Sequence, residues 1–238
     1  MKNFSTTVIE IVSVAKNTIA MKLSRPSDFF FTAGQYALLS LPALIAPDAK
    51  GAHRCMSIAS APSDDHLLFA MHIGESGFKQ TIASLCVGDE VFVGSPVGQF
   101  ALIDGDVRPV VFLVGGIGIT PVRSILRQAI HDGDTREFFL VYSNYCIEDT
   151  TFFEELRAIP QLSYHPILTM TDADRLSQSW DGERGYITNA LLKKYLPDVR
   201  APIYYIVGTP GFTQAMTVIL EKYQIPKEQI KQDPFVGM

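Results

Sequence analysis

A chain of 238 residues, 47% apolar and 19% charged, with a formal net charge of −5, has the composition of a folded protein of one or two domains rather than a disordered one. The acidic balance argues against a role built on clustered Lys and Arg facing nucleic-acid phosphates.

The N-terminal "MKNFSTTVIEIVSVAK" alternates apolar and polar residues and lacks the unbroken apolar stretch of a signal peptide. No apolar run approaches the roughly 20 residues that cross a bilayer. Cys55, Cys86 and Cys146 are odd in number and far apart. They predict free thiols in a reducing compartment, and they are too few for a four-thiolate iron–sulfur cluster. A cytoplasmic protein is the expectation.

From residue 5 to about 103, short period-two runs are punctuated by Gly and Pro: "TTVIEIVSV", "TIAMKLS", "QYALLSLP", "LLFAMHI" and "EVFVGSP". These are strand patterns. A single short helix is predicted in "FKQTIASL", where Phe78, Ile82 and Leu85 share a face. Many strands and one helix predict an antiparallel β-barrel over residues 1–105. Within it, "GAHRCMSIASAP" sets an arginine ahead of a thiol, a thioether and two hydroxyls.

Beyond Gly105 the rhythm changes. "PVVFLVGG" is a continuous apolar strand of the kind covered on both faces. A helix "PVRSILRQAIHDG" follows, then "EFFLVYS" (strand), "TTFFEELRAI" (helix), "YHPILTM" (strand), "TNALLKKYL" (helix), "PIYYIVG" (strand) and "FTQAMTVILEKY" (helix). This alternation predicts an α/β doubly wound parallel sheet over residues 106–238.

Open parallel sheets bind ligands beyond the carboxyl ends of their strands. Two strands here end in suggestive loops. In "LVGGIGITPVRSIL", Gly115, Gly116 and Gly118 let backbone approach a ligand, with Thr120 as expected N-cap and Pro121 at the first helical position. The free N–H groups of such a helix start suit a pyrophosphate. The pattern is not GxGxxG, and taken alone a tight strand-to-helix turn explains it equally well. "YIVGTPGFTQAM" repeats the arrangement with Gly208, Thr209 and Pro210. Two such loops side by side favour a ligand crevice.

"GQYALLSLP", "RCMS", "GFKQTIASLCVGDEVFVGSPVGQF", "GGIGITPVRSIL", "YIVGTPGF" and "DPFVGM" occur in an order and spacing that resembles the ferredoxin–NADP reductase superfamily along nearly the whole chain. The resemblance implies a stand-alone, two-domain reductase without an iron–sulfur domain. A flavin, FAD rather than FMN, would lie between barrel and nucleotide domain. Hydride would pass from NADH or NADPH to the flavin and electrons onward to a separate acceptor such as ferredoxin, flavodoxin or another redox protein.

Carried over position by position, "RCMS" matches the family's Arg-x-Tyr-Ser. Arg54 would hold the flavin phosphate, with Cys55 and Met56 beside it and the Ser57 hydroxyl near flavin N5. A surface salt-bridged arginine is the competing reading. Met71, His72 and Ile73 would give main-chain contacts. Gly77, Phe78, Lys79 and Gln80 would form the helix start facing the pyrophosphate, Lys79 standing where Ser or Thr is common. No second residue at ligand spacing makes His72 a metal site.

In the second domain Gly115, Gly116, Gly118, Thr120 and Pro121 match the nucleotide pyrophosphate loop. Gly208, Thr209 and Pro210 match the loop near the nicotinamide, with Val207 where the family has Cys. Ser143 and Asn144 would lie at the adenosine ribose. Tyr145 in place of an arginine leans the choice to NADH, with Arg175 an available substitute.

Asp233 and Phe235 match the family's acidic and aromatic ending, Asp233 as proton or hydrogen-bond partner, and Met238 stands where Tyr is common. Met56 and Met238 thus replace two rings expected against the flavin; a thioether on a π-system contributes roughly 0.3–1.5 kcal/mol. Two other readings stay open: an electron-transfer subunit of a larger complex, against which the lack of a C-terminal cysteine cluster counts, and a non-catalytic flavin or nucleotide sensor, which Met56, Val207 and Met238 keep open.

Overall fold

The structure, a computed structural model, describes residues 2–175 and 180–235. It divides into two compact units: residues 1–102 with Thr120–His131, and Ile103–Ile119 with residues 132–238. The helix after the first glycine loop therefore groups with the strands of the first unit, although it lies beyond the boundary that the change of rhythm at Gly105 suggests.

The first unit is a six-stranded antiparallel sheet. Its strands are β1 (Asn3–Ala15), β2 (Thr18–Ser24), β3 (Tyr36–Ser40), β4 (His53–Ser57), β5 (His66–His72) and β6 (Glu90–Gly94), in the spatial order β4-β3-β6-β1-β2-β5. The alternation in β1 buries Phe4, Thr6 and Val8 and exposes their neighbours, as a half-buried strand requires. Register shifts at Val8/Glu10 and Ser13/Ala15 interrupt its ladder. β1 pairs with β6 through Asn3–Thr7 and with β2 through Val8–Ala15, so one long strand serves two neighbours on either side of a bulge.

The sheet is barrel-like but not closed: its end strands β4 and β5 do not pair with each other. The segment leaving β4 bridges them instead. Ile58 N–H donates to Gln35 O at 3.0 Å, Ala59 N–H to Leu68 O at 2.7 Å, and Leu68 N–H to Ser60 Oγ at 3.1 Å. This satisfies edge groups that would otherwise stay open.

Helix α1 (Gly77–Ser84) is N-capped by Ser76, whose side chain accepts from Lys79 N–H, and buries Phe78 and Ile82 in the core with Phe29, Leu39 and Phe69. An eight-residue helix is marginal alone, so this burial holds it. The helix α2 (Ile119–Asp132) carries Arg123, which donates to Ala59 O at 2.7 Å, and Ser124, which donates to Ser60 O at 2.6 Å. Its Arg127 pairs with Asp64 at 2.9 Å.

The second unit is a six-stranded, all-parallel sheet. It comprises β7 (Val110–Gly115), β8 (Glu137–Asn144), β9 (Ser163–Met170), β10 (Glu183–Arg184), β11 (Ile203–Gly208) and β12 (Ile230–Pro234), in the order β10-β9-β8-β7-β11-β12. The chain starts at β7, steps outward to β10, then crosses to β11 and β12 on the other side. That reversal between β7 and β11 is a topological switch point, where open α/β sheets leave a crevice at their carboxyl ends. The helices α3 (Phe153–Leu156), α4 (Asn189–Tyr195) and α5 (Pro210–Lys222) complete it.

Two elements depart from the sequence pattern. The helix expected over "TTFFEELRAI" shrinks to the single turn α3. Thr150 and Thr151 are buried, Thr150 Oγ1 donates to Cys146 O at 2.9 Å, and Phe152 adopts φ +58° immediately before the turn; a left-handed residue cannot continue a helix. The strands β10 and β12 carry no strand pattern because they are edge strands, short or polar, and pairing alone makes them strands.

Candidate functional site

In the first unit Arg54 lies on β4 with its side chain 17% exposed. Its guanidinium sits 4.8 Å from the centroid of the Phe78 ring. Nη1 donates to the carbonyls of Gly51 at 2.9 Å and His53 at 2.7 Å, and Nη2 donates to Asp48 Oδ2 at 2.7 Å. The same Asp48 oxygen accepts the Phe78 N–H at the start of α1 at 2.9 Å, and Oδ1 accepts Lys50 N–H at 2.9 Å. The amides of Phe78 and Lys50, followed by Arg54, hold the Asp48 carboxyl well below the usual carboxylate range. A guanidinium from a strand and an amide from a helix N-terminus therefore converge on one anionic oxygen. Asp48 was not among the sequence-predicted site residues. It sits in a loop with no motif, and its partner at Phe78 is 30 positions away.

The neighbours of Arg54 alternate. Cys55 is exposed, Met56 is buried within the hydrophobic cluster of this unit, and Ser57 is buried with a hydroxyl that has no hydrogen-bond partner among the described residues. Packing alone accounts for Met56. Met71 belongs to the same cluster, His72 Nδ1 lies 2.9 Å from Thr18 Oγ1, and Ile73 is exposed with its amide on Asn17 O. Gly77 is required by space: a Cβ there would lie 2.1 Å from Ala46 O and 2.8 Å from Pro47 O. Lys79 lays its side chain over Gly74, and Gln80 donates to Glu75 O at 2.7 Å. Ser76, not Lys79, supplies the hydroxyl at this helix start.

In the second unit both glycine loops lie at the carboxyl ends of adjacent strands, Val114 pairing with Val207. A Cβ at Gly118 would meet Val207 O at 2.9 Å, and one at Gly115 would meet the Phe212 ring at 3.0 Å. Gly208 has φ +156° and the same ring 2.9 Å from its would-be Cβ. Only glycines allow this closeness. Phe212, on the first turn of α5, thus lies against both loops, and Tyr142 Oη donates to Gly116 O at 3.0 Å, tying β8 to the turn. Neither aromatic announces this role in the sequence.

The expected N-cap at Thr120 is corrected. Gly116–Gly118 form a 3-10 turn that runs directly into α2, so the helix begins at Ile119 and Thr120 and Pro121 fall inside its first turn. Proline is tolerated there because its missing N–H would have no intrahelical partner. At the other loop Thr209 does cap α5, accepting Phe212 N–H at 3.3 Å, with Pro210 as first helical residue.

Ser143 and Asn144 end β8; Asn144 is 6% exposed and its Nδ2 has no partner among the described residues. Tyr145 is exposed. Arg175 pairs with Asp149 at 3.0 Å. Val207 is wholly buried. Asp233 pairs with Val207 along β12, and Phe235 N–H donates to Gly208 O at 2.9 Å, which brings the C-terminal segment to the second glycine loop. Burial raises the Asp233 carboxyl above its ordinary pKa. Met238 lies outside the described residues. Among the described residues no group of three or more His, Cys, Asp or Glu is placed to hold a metal ion, and no helix is long and apolar enough to cross a membrane.

The chain thus joins an antiparallel barrel-like sheet to a parallel sheet with glycines at its switch point. Residues 112–217 match the family model of the oxidoreductase NAD-binding domain. The chain is 27% identical to the reductase component of propane 2-monooxygenase from Rhodococcus jostii, covering all of this chain and 65% of that one. It is 28% identical to the reductase component of phenol 2-monooxygenase from Pseudomonas sp., covering 90% of this chain and 60% of that one. It therefore spans less than two thirds of either relative. Among solved structures, a ferredoxin NADP+ reductase from Neisseria gonorrhoeae with bound FAD and NADP superposes with a TM-score of 0.82 at 21% identity, over 98% of this chain and 99% of that one. The Amycolatopsis cytochrome P450 reductase superposes with a TM-score of 0.84 at 23% identity, over 98% and 70%. The match to the NAD-binding model lies in the second half of the chain, and over nearly its whole length the chain shares the fold of these two solved reductases.

Proposed function

We propose that this chain is an NAD(P)H-dependent flavoprotein reductase that takes hydride from a nicotinamide nucleotide onto FAD and passes electrons to a separate acceptor, a protein carrier or an oxygenase component. The observation that carries this reading is the pair of glycine loops at the switch point. Gly115, Gly118 and Gly208 let the two loops pack side by side at the carboxyl ends of β7 and β11, the place where an open parallel sheet seats a dinucleotide.

The donor set of the first unit fits the phosphate of a flavin. Arg54 and the Phe78 amide already converge on an anionic oxygen. FAD, when bound, supplies the two-electron to one-electron conversion that no side chain provides. Arg54 and the N-terminus of α1 would fix its phosphate, and the Ser57 hydroxyl would donate to the reactive ring edge. Gly115, Gly116, Gly118 and the Gly208–Pro210 loop would seat the nicotinamide nucleotide, with Ser143 and Asn144 at its ribose. Asp233, its pKa raised by burial, would hold a proton beside the second loop. NADH is favoured over NADPH because Arg175 is engaged by Asp149 and Tyr145 carries no charge for a ribose phosphate.

The test is anaerobic mixing of the flavin-reconstituted protein with each nucleotide. Loss of the oxidised flavin band, faster with NADH, is expected. Flavin that stays oxidised with both nucleotides overturns the reading.

A further inference from the structure

The two groups assigned to the flavin phosphate are both spent on one side chain. Asp48 Oδ2 accepts Arg54 Nη2 at 2.7 Å and Phe78 N–H at 2.9 Å, and its side chain is only 4% exposed. The segment that delivers it lies directly on the helix start, as the 2.1 Å from a Gly77 Cβ to Ala46 O requires. A carboxylate and a phosphate present the same kind of anionic oxygen to a guanidinium fork and a helix amide. They cannot share those donors without setting two negative charges side by side.

The loop that carries Asp48 is exposed along most of its length. Between β3 and β4, Pro42, Ala43, Ile45, Pro47, Ala49 and Lys50 are exposed. Leu44, partly buried, packs on the core, and besides the Phe78–Asp48 bond a second hydrogen bond, from Ile45 N–H to Thr81 Oγ1 at 3.0 Å, ties the loop to α1.

We propose that Asp48 is an internal occupant of the flavin-phosphate cradle, a carboxylate that a phosphate-bearing flavin displaces before Arg54 and the α1 N-terminus can hold it. The proposal rests on the flavin reading above. Asp48 then lowers the affinity for FMN and FAD by the fraction of time the cradle is open, while riboflavin, which has no phosphate, is indifferent to it. The residue sets both the strength and the exchange of the flavin.

Calorimetric titration of the full chain and its Asp48→Asn variant with riboflavin, FMN and FAD tests this. Asn keeps the size and one acceptor oxygen but removes the charge. About a tenfold or greater gain in affinity for FMN and FAD, with riboflavin unchanged, is expected. Unchanged or weakened FMN and FAD binding, or an equal gain for riboflavin, overturns the proposal while leaving the flavin reading intact. Absence of binding of every flavin by both proteins overturns the flavin reading and this inference with it. If the Asn variant does not fold, Asp48→Ser, which keeps a hydroxyl acceptor for the Phe78 amide, is read by the same criteria.

Discussion

Replacing Gly118 by Ala adds one methyl group at the tightest point of the first glycine loop. The new Cβ would stand 2.9 Å from Val207 O, 3.0 Å from Val207 C and 3.1 Å from Gly208 N. Ordinary contact begins near 3.4 Å, and all three atoms are backbone at the end of β11, which is paired on both sides with β7 and β12. The turn must therefore lift away from β11. Overpacking of a tight site costs about 1–3 kcal/mol, and for a chain of this size about 2–4 °C per kcal/mol, so a melting transition lower by roughly 2–12 °C is expected. Because the lifted turn carries the amides proposed for the nucleotide, NADH affinity should fall together with stability.

The assay is thermal melting with calorimetric NADH titration of three variants. Gly116→Ala meets nothing within 4 Å but has φ +53°, so only the left-handed backbone cost of about 1–2 kcal/mol applies. Gly211→Ala meets nothing, has no positive φ and lies inside α5, so it should be neutral or stabilising by up to about 1 kcal/mol. If Gly118→Ala melts and binds NADH like the parent, the close approach of the two loops is not what the glycine serves.

Two further outcomes concern titratable groups. Arg108 holds the Asp106 carboxyl down to about 2, from 3.8. A carboxylate depressed in the folded state contributes stability that is complete above about pH 4 and is lost as the pH falls toward 2. Asp106→Asn should therefore flatten the loss of stability over that window; an identical acid profile by denaturant titration would contradict the pairing. Cys55 and Cys86 are exposed, whereas Cys146 is buried and its thiol is pushed up to about 11 by burial. A thiol reagent at neutral pH should label Cys55 and Cys86 quickly and Cys146 only after unfolding, and rapid labelling of Cys146 in the native protein would refute its placement.

Much of the architecture was legible because it is periodic. β2 runs over the "TIAMKLS" segment, and "EFFLVYS", "PIYYIVG" and "FKQTIASL" fall within a residue or two of β8, β11 and α1. The side-chain alternation or apolar continuity that buries each segment is written locally. The glycines at the ends of β7 and β11 were equally visible, since a backbone that must be approached closely shows itself as a missing side chain. The short α3 was not, because the positive φ at Phe152 comes from its surroundings rather than from a residue that favours it.

By itself, then, the sequence determined an antiparallel sheet followed by a parallel one and placed glycine at two strand ends, because period, turn residues and chain order are properties of neighbours along the chain. Only the tertiary structure decided what faces those features. It set β7 against β11 so that the two loops adjoin, laid Phe212 over Gly115 and Gly208, and brought Asp48 onto the amide of Phe78 and the guanidinium of Arg54. An anion bound by groups from a strand, a helix and a loop leaves no spacing to read, because its partners are fixed by the packing of elements that are distant in the chain.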